Sequence, residues 1–236
     1  MQIAVIGSGS SGNGYLIKTK TSQLLIECGM RSRDMLKLAN YNVANVAGAI
    51  CSHIHKDHCG YLKEYRKYGF PIYMTSESCG LTDGVRKMRR MHKQMIGEFQ
   101  VVPFQVPHNG TECDGFLINH PDFGNLLFIT DAEMCPYDFS KAGIDHALVE
   151  CNYSKDFVDR DDAKTSHVFL GHMEFETCRR LARHIYSPDL KSFGLIHLSN
   201  GNADAEMFRR IIQEDLPETD VWVAEKEKIY TWRNML

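Results

Sequence analysis

The stretch Cys51-Ser-His-Ile-His-Lys-Asp-His-Cys-Gly60 places His53, His55, Asp57 and His58 within six positions. Ala49-Ile-Cys51 before it is short and apolar, the composition of a buried strand that runs directly into the histidines. In extended backbone successive side chains alternate faces, so His53 and His55 point the same way. Asp57 and His58 fall where the chain turns toward the next helical stretch and reach a neighbouring point in space. One segment can therefore serve two metal ions. Imidazole nitrogen and carboxylate oxygen suit Zn²⁺ or Mn²⁺, with iron as a third option. Cys51 and Cys59 flank the motif without ligand spacing, and nitrogen- and oxygen-rich sites are more often catalytic than structural. A polar surface loop that happens to hold histidines is the plainer alternative, and the HxHxDH spacing argues against it.

The chain around this segment bounds its function. At 236 residues and 43% hydrophobic it can bury a full core, and residues 1–236 are read as a single domain. The net charge of −3 gives no global basic field for nucleic acid. A local run, Arg86-Lys-Met-Arg-Arg-Met-His-Lys93, could meet phosphates or form a solvated helix face. No apolar stretch is long enough to span a bilayer, so no membrane partner is expected. Met1-Gln-Ile-Ala-Val-Ile-Gly7 reads as a first strand rather than a signal peptide. Eight cysteines without a CxxC pair read as reduced thiols, and a cytoplasmic protein is expected.

Short apolar runs alternate with amphipathic stretches. Strands are expected at Ile3–Ile6, Tyr15–Thr19, Leu24–Glu27, Ala49–Cys51, Ile72–Met74, Phe99–Phe104, Phe116–Asn119, Leu126–Thr130, His146–Glu150, Ser192–His197, Asp220–Val223 and Lys228–Tyr230. Helices are expected at Arg31–Leu38, Tyr61–Tyr68, Glu77–Gly80, Asp156–Lys164, Phe175–Tyr186 and Ala203–Asp215. Strands cluster early and strand–helix units follow. This order suggests an α/β fold, a four-layer αββα sandwich of two mixed sheets with helices outside.

Three further residues follow apolar runs. His108 follows Phe99–Phe104, Asp131 follows Leu126–Thr130 and His197 follows Ser192–Ile196. Taken alone, each is as readily a polar surface or turn residue. Together with Gly7-Ser-Gly-Ser-Ser-Gly-Asn13, Leu24-Leu-Ile-Glu-Cys-Gly29, Thr130-Asp-Ala-Glu133, Gly171-His-Met173 and Ile196-His-Leu-Ser-Asn200, the HxHxDH motif resembles the metallo-β-lactamase superfamily across nearly the whole chain. The order of motifs looks most like the YycJ (WalJ) group, described as exonucleases, with ribonuclease Z more distant.

The resemblance implies a dinuclear centre. One metal would bind His53, His55, His108 and Asp131, and the other Asp57, His58, Asp131 and His197, with Asp131 bridging. Glu27 stands where the family usually has an Asp that orients a metal ligand through a hydrogen bond; an ordinary turn carboxylate is the alternative. Asp57 would bind metal and could also orient the nucleophile; a pure ligand is the alternative. His172 resembles the substrate-facing histidine of the nuclease branches, although the serine that usually follows is absent and Met173 leads to Glu174. A surface histidine before a helix is the alternative. Ser8, Ser10, Ser11 and Asn13 in the glycine–serine loop, and Ser199 and Asn200 after His197, are candidate phosphate contacts. A plain tight hairpin would also explain the loop.

The function expected is a metal-dependent phosphodiesterase, a nuclease of the 5′–3′ exonuclease type acting on DNA or RNA through metal-activated water. The alternatives are a metallohydrolase of a small ester, thioester or lactam, and a non-catalytic nucleic-acid binder on the same fold. Asp131 stands where a cysteine would favour lactamase-like sites, and His55 is present where an iron redox branch usually has Glu.

Overall fold

The computed structural model describes residues 1–75, 84–158 and 171–232. In the first sheet β1 (Gln2–Gly7), β2 (Gly14–Lys18) and β3 (Gln23–Ile26) meander antiparallel. Strands β4 (Val46–Ile50), β5 (Ile72–Thr75) and β6 (Arg86–Met88) then continue in parallel, and β14 (Ile229–Thr231) closes the far edge beside β1. The second sheet repeats this plan. Its antiparallel part is β7 (Gln94–Ile96), β8 (Phe99–Val106), β9 (Cys113–His120) and β10 (Gly124–Ile129). Its parallel part adds β11 (Ile144–Glu150), β12 (Ser192–Ile196) and β13 (Asp220–Val223). Among the described residues each sheet has seven strands and changes from antiparallel to parallel pairing partway across.

Side-chain alternation sorts the apolar residues into three layers. Ile3, Val5, Tyr15, Ile17, Leu24 and Ile26 of the first sheet meet Phe116, Ile118, Leu126, Phe128 and Leu148 of the second. The intervening Ala4, Ile6, Leu16, Leu25 and Ala49 face outward, onto Met35 of α1 (Ser32–Leu38) and Leu62 and Tyr65 of α3 (Leu62–Tyr65). On the other side Leu127, Val149, Phe193 and Leu195 pack on α4 (Phe175–Ile185) and α5 (Ala205–Asp215) through Phe175, Cys178, Phe208 and Ile212. Strands buried on both faces read as continuous apolar runs. The expected αββα sandwich of two mixed sheets is thus the observed one.

Some elements differ from the sequence expectation. The basic run from Arg86 to Lys93 is not a helix. It supplies edge strand β6, a turn and the start of the link to β7. Arg86 and Lys87 are exposed and Met88 is buried, a charged edge strand with too little alternation to be recognised. Arg90 is not open to phosphate either: its guanidinium donates to Asp114 and Glu112. The helix expected at Asp156–Lys164 begins as a turn through residues 155–157 and otherwise lies outside the described residues, as does Glu77–Gly80. A one-turn helix α2 (Lys56–Cys59) carries the second half of the motif. Among the described residues all cysteines are free, and no helix is long and apolar enough to cross a membrane.

Phe128 sits at the centre of the inter-sheet layer, fully buried, with its ring against Tyr15 and Phe116. Phe128→Ala is expected to destabilise the fold by about 3–5 kcal/mol, the range for emptying a buried aromatic position. Urea denaturation followed by circular dichroism measures this.

Candidate metal centre

Strands β1, β3, β4, β8, β10, β11 and β12 all point their carboxyl ends at one rim of the sandwich. The chain carries its polar residues directly after these strands, so a rigid frame delivers them to one place. His53 and His55 converge as their spacing requires, with ring centroids 4.6 Å apart. His108 reaches them from β8, its Nε2 3.2 Å from His55 Nδ1.

Asp131 lies between two sets of imidazoles. Its Oδ2 is 3.7 Å from His53 Nε2 and 3.6 Å from His108 Nε2. Its Oδ1 is 3.3 Å from His58 Nε2 and 3.3 Å from His197 Nδ1. Asp57 Oδ2 completes the second set at 3.3 Å from His58 Nε2 and 3.6 Å from His197 Nε2. Three overlapping groups of potential ligands result, His53/His55/His108/Asp131, Asp57/His58/Asp131/His197 and Asp131/Glu150/His172/His197. The first two bring together the residues that the family resemblance groups, and the third adds Glu150 and His172 around His197.

The backbone is shaped for this convergence. Glu27, Asp131 and His197 have φ of 67°, 45° and 53°. Non-glycine residues rarely take the left-handed region, and such residues concentrate where a site over-determines the backbone. Each turns its side chain inward just after a strand. Gly29 serves the convergence through its missing side chain, since a Cβ there would lie 1.6 Å from the Asp57 carbonyl oxygen. Only glycine lets the segment after β3 press against α2, where Cys28 N–H donates to the His58 carbonyl at 2.7 Å.

Glu27 is fully buried, accepts the Ser52 backbone N–H and lies 3.5 Å from His58 Nδ1. The longer side chain thus reaches the back of one imidazole of the motif. Glu150 is a site residue that the sequence does not single out. It closes β11, fully buried, and accepts from the backbone N–H of Ala132 and Met173. Its Oε1 also holds His172 Nδ1 at 2.7 Å and His197 Nδ1 at 2.9 Å. The available signal was a charged residue ending the apolar run Ala147-Leu-Val-Glu150. Asn152, two residues on, donates to the His197 carbonyl at 2.7 Å. Glu174 supplies the α4 cap that the missing serine left open, accepting the Glu176 N–H.

A cleft of about 290 Å³ opens over these groups, lined by Ser10, His55, Asp57, His108, Asn109, Thr111, Asp131, Gly171, His172 and His197. Of the six candidate phosphate contacts, Ser10 is in this lining. Ser11 and Asn200 are exposed, and Ser199 is half-buried with its N–H donated to Asn152. Ser8 and Asn13 are spent on internal hydrogen bonds, and Asn13 is fully buried. No surface of the Asn13 side chain is open to solvent in this arrangement. A larger groove of about 590 Å³ along α4 includes none of the converging imidazoles.

The electrostatics call for positive charge. Burial works to raise Asp57 and Asp131, but the neighbouring imidazoles outweigh it and hold both carboxyls far below the usual range. Burial disfavours a charged His197, yet Asp131, Asp57 and Glu150 push it up to about 10. His53, buried and next to His58, is driven well down and stays neutral. His53 Nε2, His58 Nδ1 and His197 Nε2 are buried without hydrogen-bond partners, a cost of about 1–3 kcal/mol for each polar group left so. Buried imidazoles and ionised carboxylates without a thiolate are a donor set that fits divalent cations.

The fold and these clusters support a metal-dependent hydrolase. Residues 1–77 match the family described as anti-Pycsar protein Apyc1. The exodeoxyribonuclease YycJ of Bacillus anthracis is 25% identical over 98% of this chain and 94% of its own length. The metallo-β-lactamase fold protein YhfI of Bacillus subtilis superposes with a TM-score of 0.73 at 19% identity, covering 97% of this chain and 98% of its own. Human tRNase Z, short form, gives 0.67 at 14% identity, covering 98% and 99%. The chain has the metallo-β-lactamase fold. Its sequence is similar to the exodeoxyribonuclease YycJ over nearly its whole length.

Gly29→Ala is expected to destabilise the protein by about 3 kcal/mol or more, the upper range for forcing atoms into a packed site. Because the clash is with Asp57, bound metal should fall with it. Thermal melting and metal analysis of the same sample check both.

Proposed function

We propose that this chain is a dinuclear-metal-dependent phosphodiesterase, a nuclease of the 5′–3′ exonuclease type acting on strand ends. The observation that carries the reading is the division of Asp131, one oxygen toward each ligand set. Cations held there would polarise a phosphoryl oxygen and make a bound water nucleophilic near neutral pH. His53, His55 and His108 would hold one cation, and Asp57, His58 and His197 the other. Zn²⁺ and Mn²⁺ both suit these donors.

Asp57 is half-buried in the cleft lining, where it would hold metal and orient the attacking water. His172 lines the same cleft, with Nδ1 bound to Glu150. Its other nitrogen is left to donate a proton to the leaving oxygen. Burial opposes charging His172, but the Glu150 carboxylate prevails and raises it, which favours the proton-bearing form. Ser10 offers a hydroxyl at the cleft wall. A cleft this small suits a terminal nucleotide better than the interior of a duplex. DNA is the first substrate to test, because the Bacillus anthracis relative, which aligns over nearly the whole of this chain, is named an exodeoxyribonuclease.

The test is a cleavage screen with metal-loaded protein, labelled single- and double-stranded DNA and RNA, and a reporter diester, following product ends. His55→Ala should abolish turnover and leave the circular dichroism spectrum unchanged. Cleavage of none of these, with turnover of a thioester or lactam, would replace the nuclease reading by the small-substrate one. His172→Ala should lower kcat on a natural diester by about 10²–10⁴-fold, the usual share of a general acid. On a nitrophenyl ester of phosphate the loss should be much smaller, because that leaving group needs no proton. An equal loss on both would remove the proton-donor role.

A further inference from the structure

The glycine–serine loop has the look of a phosphate cradle in sequence, but its two polar ends are turned into the protein. We propose that Ser8 and Asn13 are positioning residues for one cation position only, that of Asp57, His58, Asp131 and His197. They would govern its occupancy independently of the His53/His55/His108 position. The inference rests on the two-ion reading of the proposed function.

Ser8 leaves β1 of the first sheet, and its Oγ accepts two hydrogen bonds. One comes from the buried Tyr15 hydroxyl at 2.8 Å, the other from the backbone N–H of His197 in the second sheet, also at 2.8 Å. His197 is left-handed, and its carbonyl is held by Asn152. Side chains therefore hold both ends of this strained residue, and Ser8 ties it across the sandwich.

Asn13 acts on the opposite wall. Its backbone N–H donates to the Asp57 carbonyl at 2.7 Å. Its Oδ1 accepts from Gly9 N–H at 2.8 Å, which fixes the direction of the amide. Nδ2 then faces the Asp57 carbonyl at 3.3 Å, Asp57 Oδ2 at 3.5 Å and His58 Nε2 at 3.0 Å. The other position is supported differently, by Ser52 Oγ at 2.8 Å from His53 Nδ1 and by the Gly171 carbonyl at 2.6 Å from His108 Nδ1. Ser8 and Asn13 therefore hold Asp57 and His197 directly and make no hydrogen bond to His53, His55 or His108.

The experiment titrates the metal-free full chain with Zn²⁺ by calorimetry, and with Mn²⁺ by electron paramagnetic resonance. Wild type should take up two equivalents and show a spin-coupled Mn²⁺ pair. Asn13→Ala and Ser8→Ala should keep one equivalent at wild-type affinity and weaken the other about 10–100-fold, the usual cost of removing a ligand's supporting hydrogen bond. The coupled signal should give way to that of isolated Mn²⁺. Ser8→Thr keeps the accepting oxygen and should restore both. If Asn13→Ala does not fold, Ser8→Ala and Asn13→Asp decide the same question. Two unchanged equivalents with a raised KM would overturn the proposal in favour of a phosphate cradle, and parallel weakening of both ions would overturn it as well. A wild type that binds one ion would bring down the two-ion reading itself, and this inference with it.

Discussion

The site depends on burying one ionised carboxylate between two sets of imidazoles. Asp131 is almost wholly buried and left-handed, with an oxygen directed to each set. A lone buried carboxylate is strongly disfavoured, and buried charges persist where opposite charge accompanies them. Glu27 and Glu150 are also fully buried nearby. Protons on His58 and His197 answer part of this demand, and divalent cations would answer it with far greater charge density.

Such a concentration of charge requires a stiff frame. The inter-sheet layer of Tyr15, Phe116, Phe128 and Leu148 fixes the strands whose ends bear the ligands. Left-handed backbone at Glu27, Asp131 and His197 is then tolerated because the flanking strands leave those residues no freedom. The close approach at Gly29 brings α2 into register with the first sheet. Ligand geometry at the rim is therefore inherited from packing some distance below it.

Much of this was legible in the sequence because the chemistry is concentrated. His53 to His58 lie in one short segment, and strands buried on both faces announce themselves as apolar runs. What stayed hidden depends on the order of strands. Glu150 looks like the polar end of a strand until β11 is placed beside β12 and the His172 segment, where its carboxylate is enclosed on all sides. Asn13 looks like a loop donor until the approach of α2 buries it. Strands β6 and β7 are short edge elements, and charge on an edge hides the pattern by which strands are recognised.

The repeated plan of the two sheets has a mechanical consequence. His53, His55, Asp57 and His58 hang from the first sheet, while His108, Asp131 and His197 hang from the second. Any cation seated among them is a rivet through both plates. Its binding free energy is then also cohesion between the halves of the sandwich, since whatever binds the docked arrangement alone stabilises docking by the same amount. Metal affinity and resistance to prying the sheets apart become one thermodynamic quantity, seen once at the rim and once in the core.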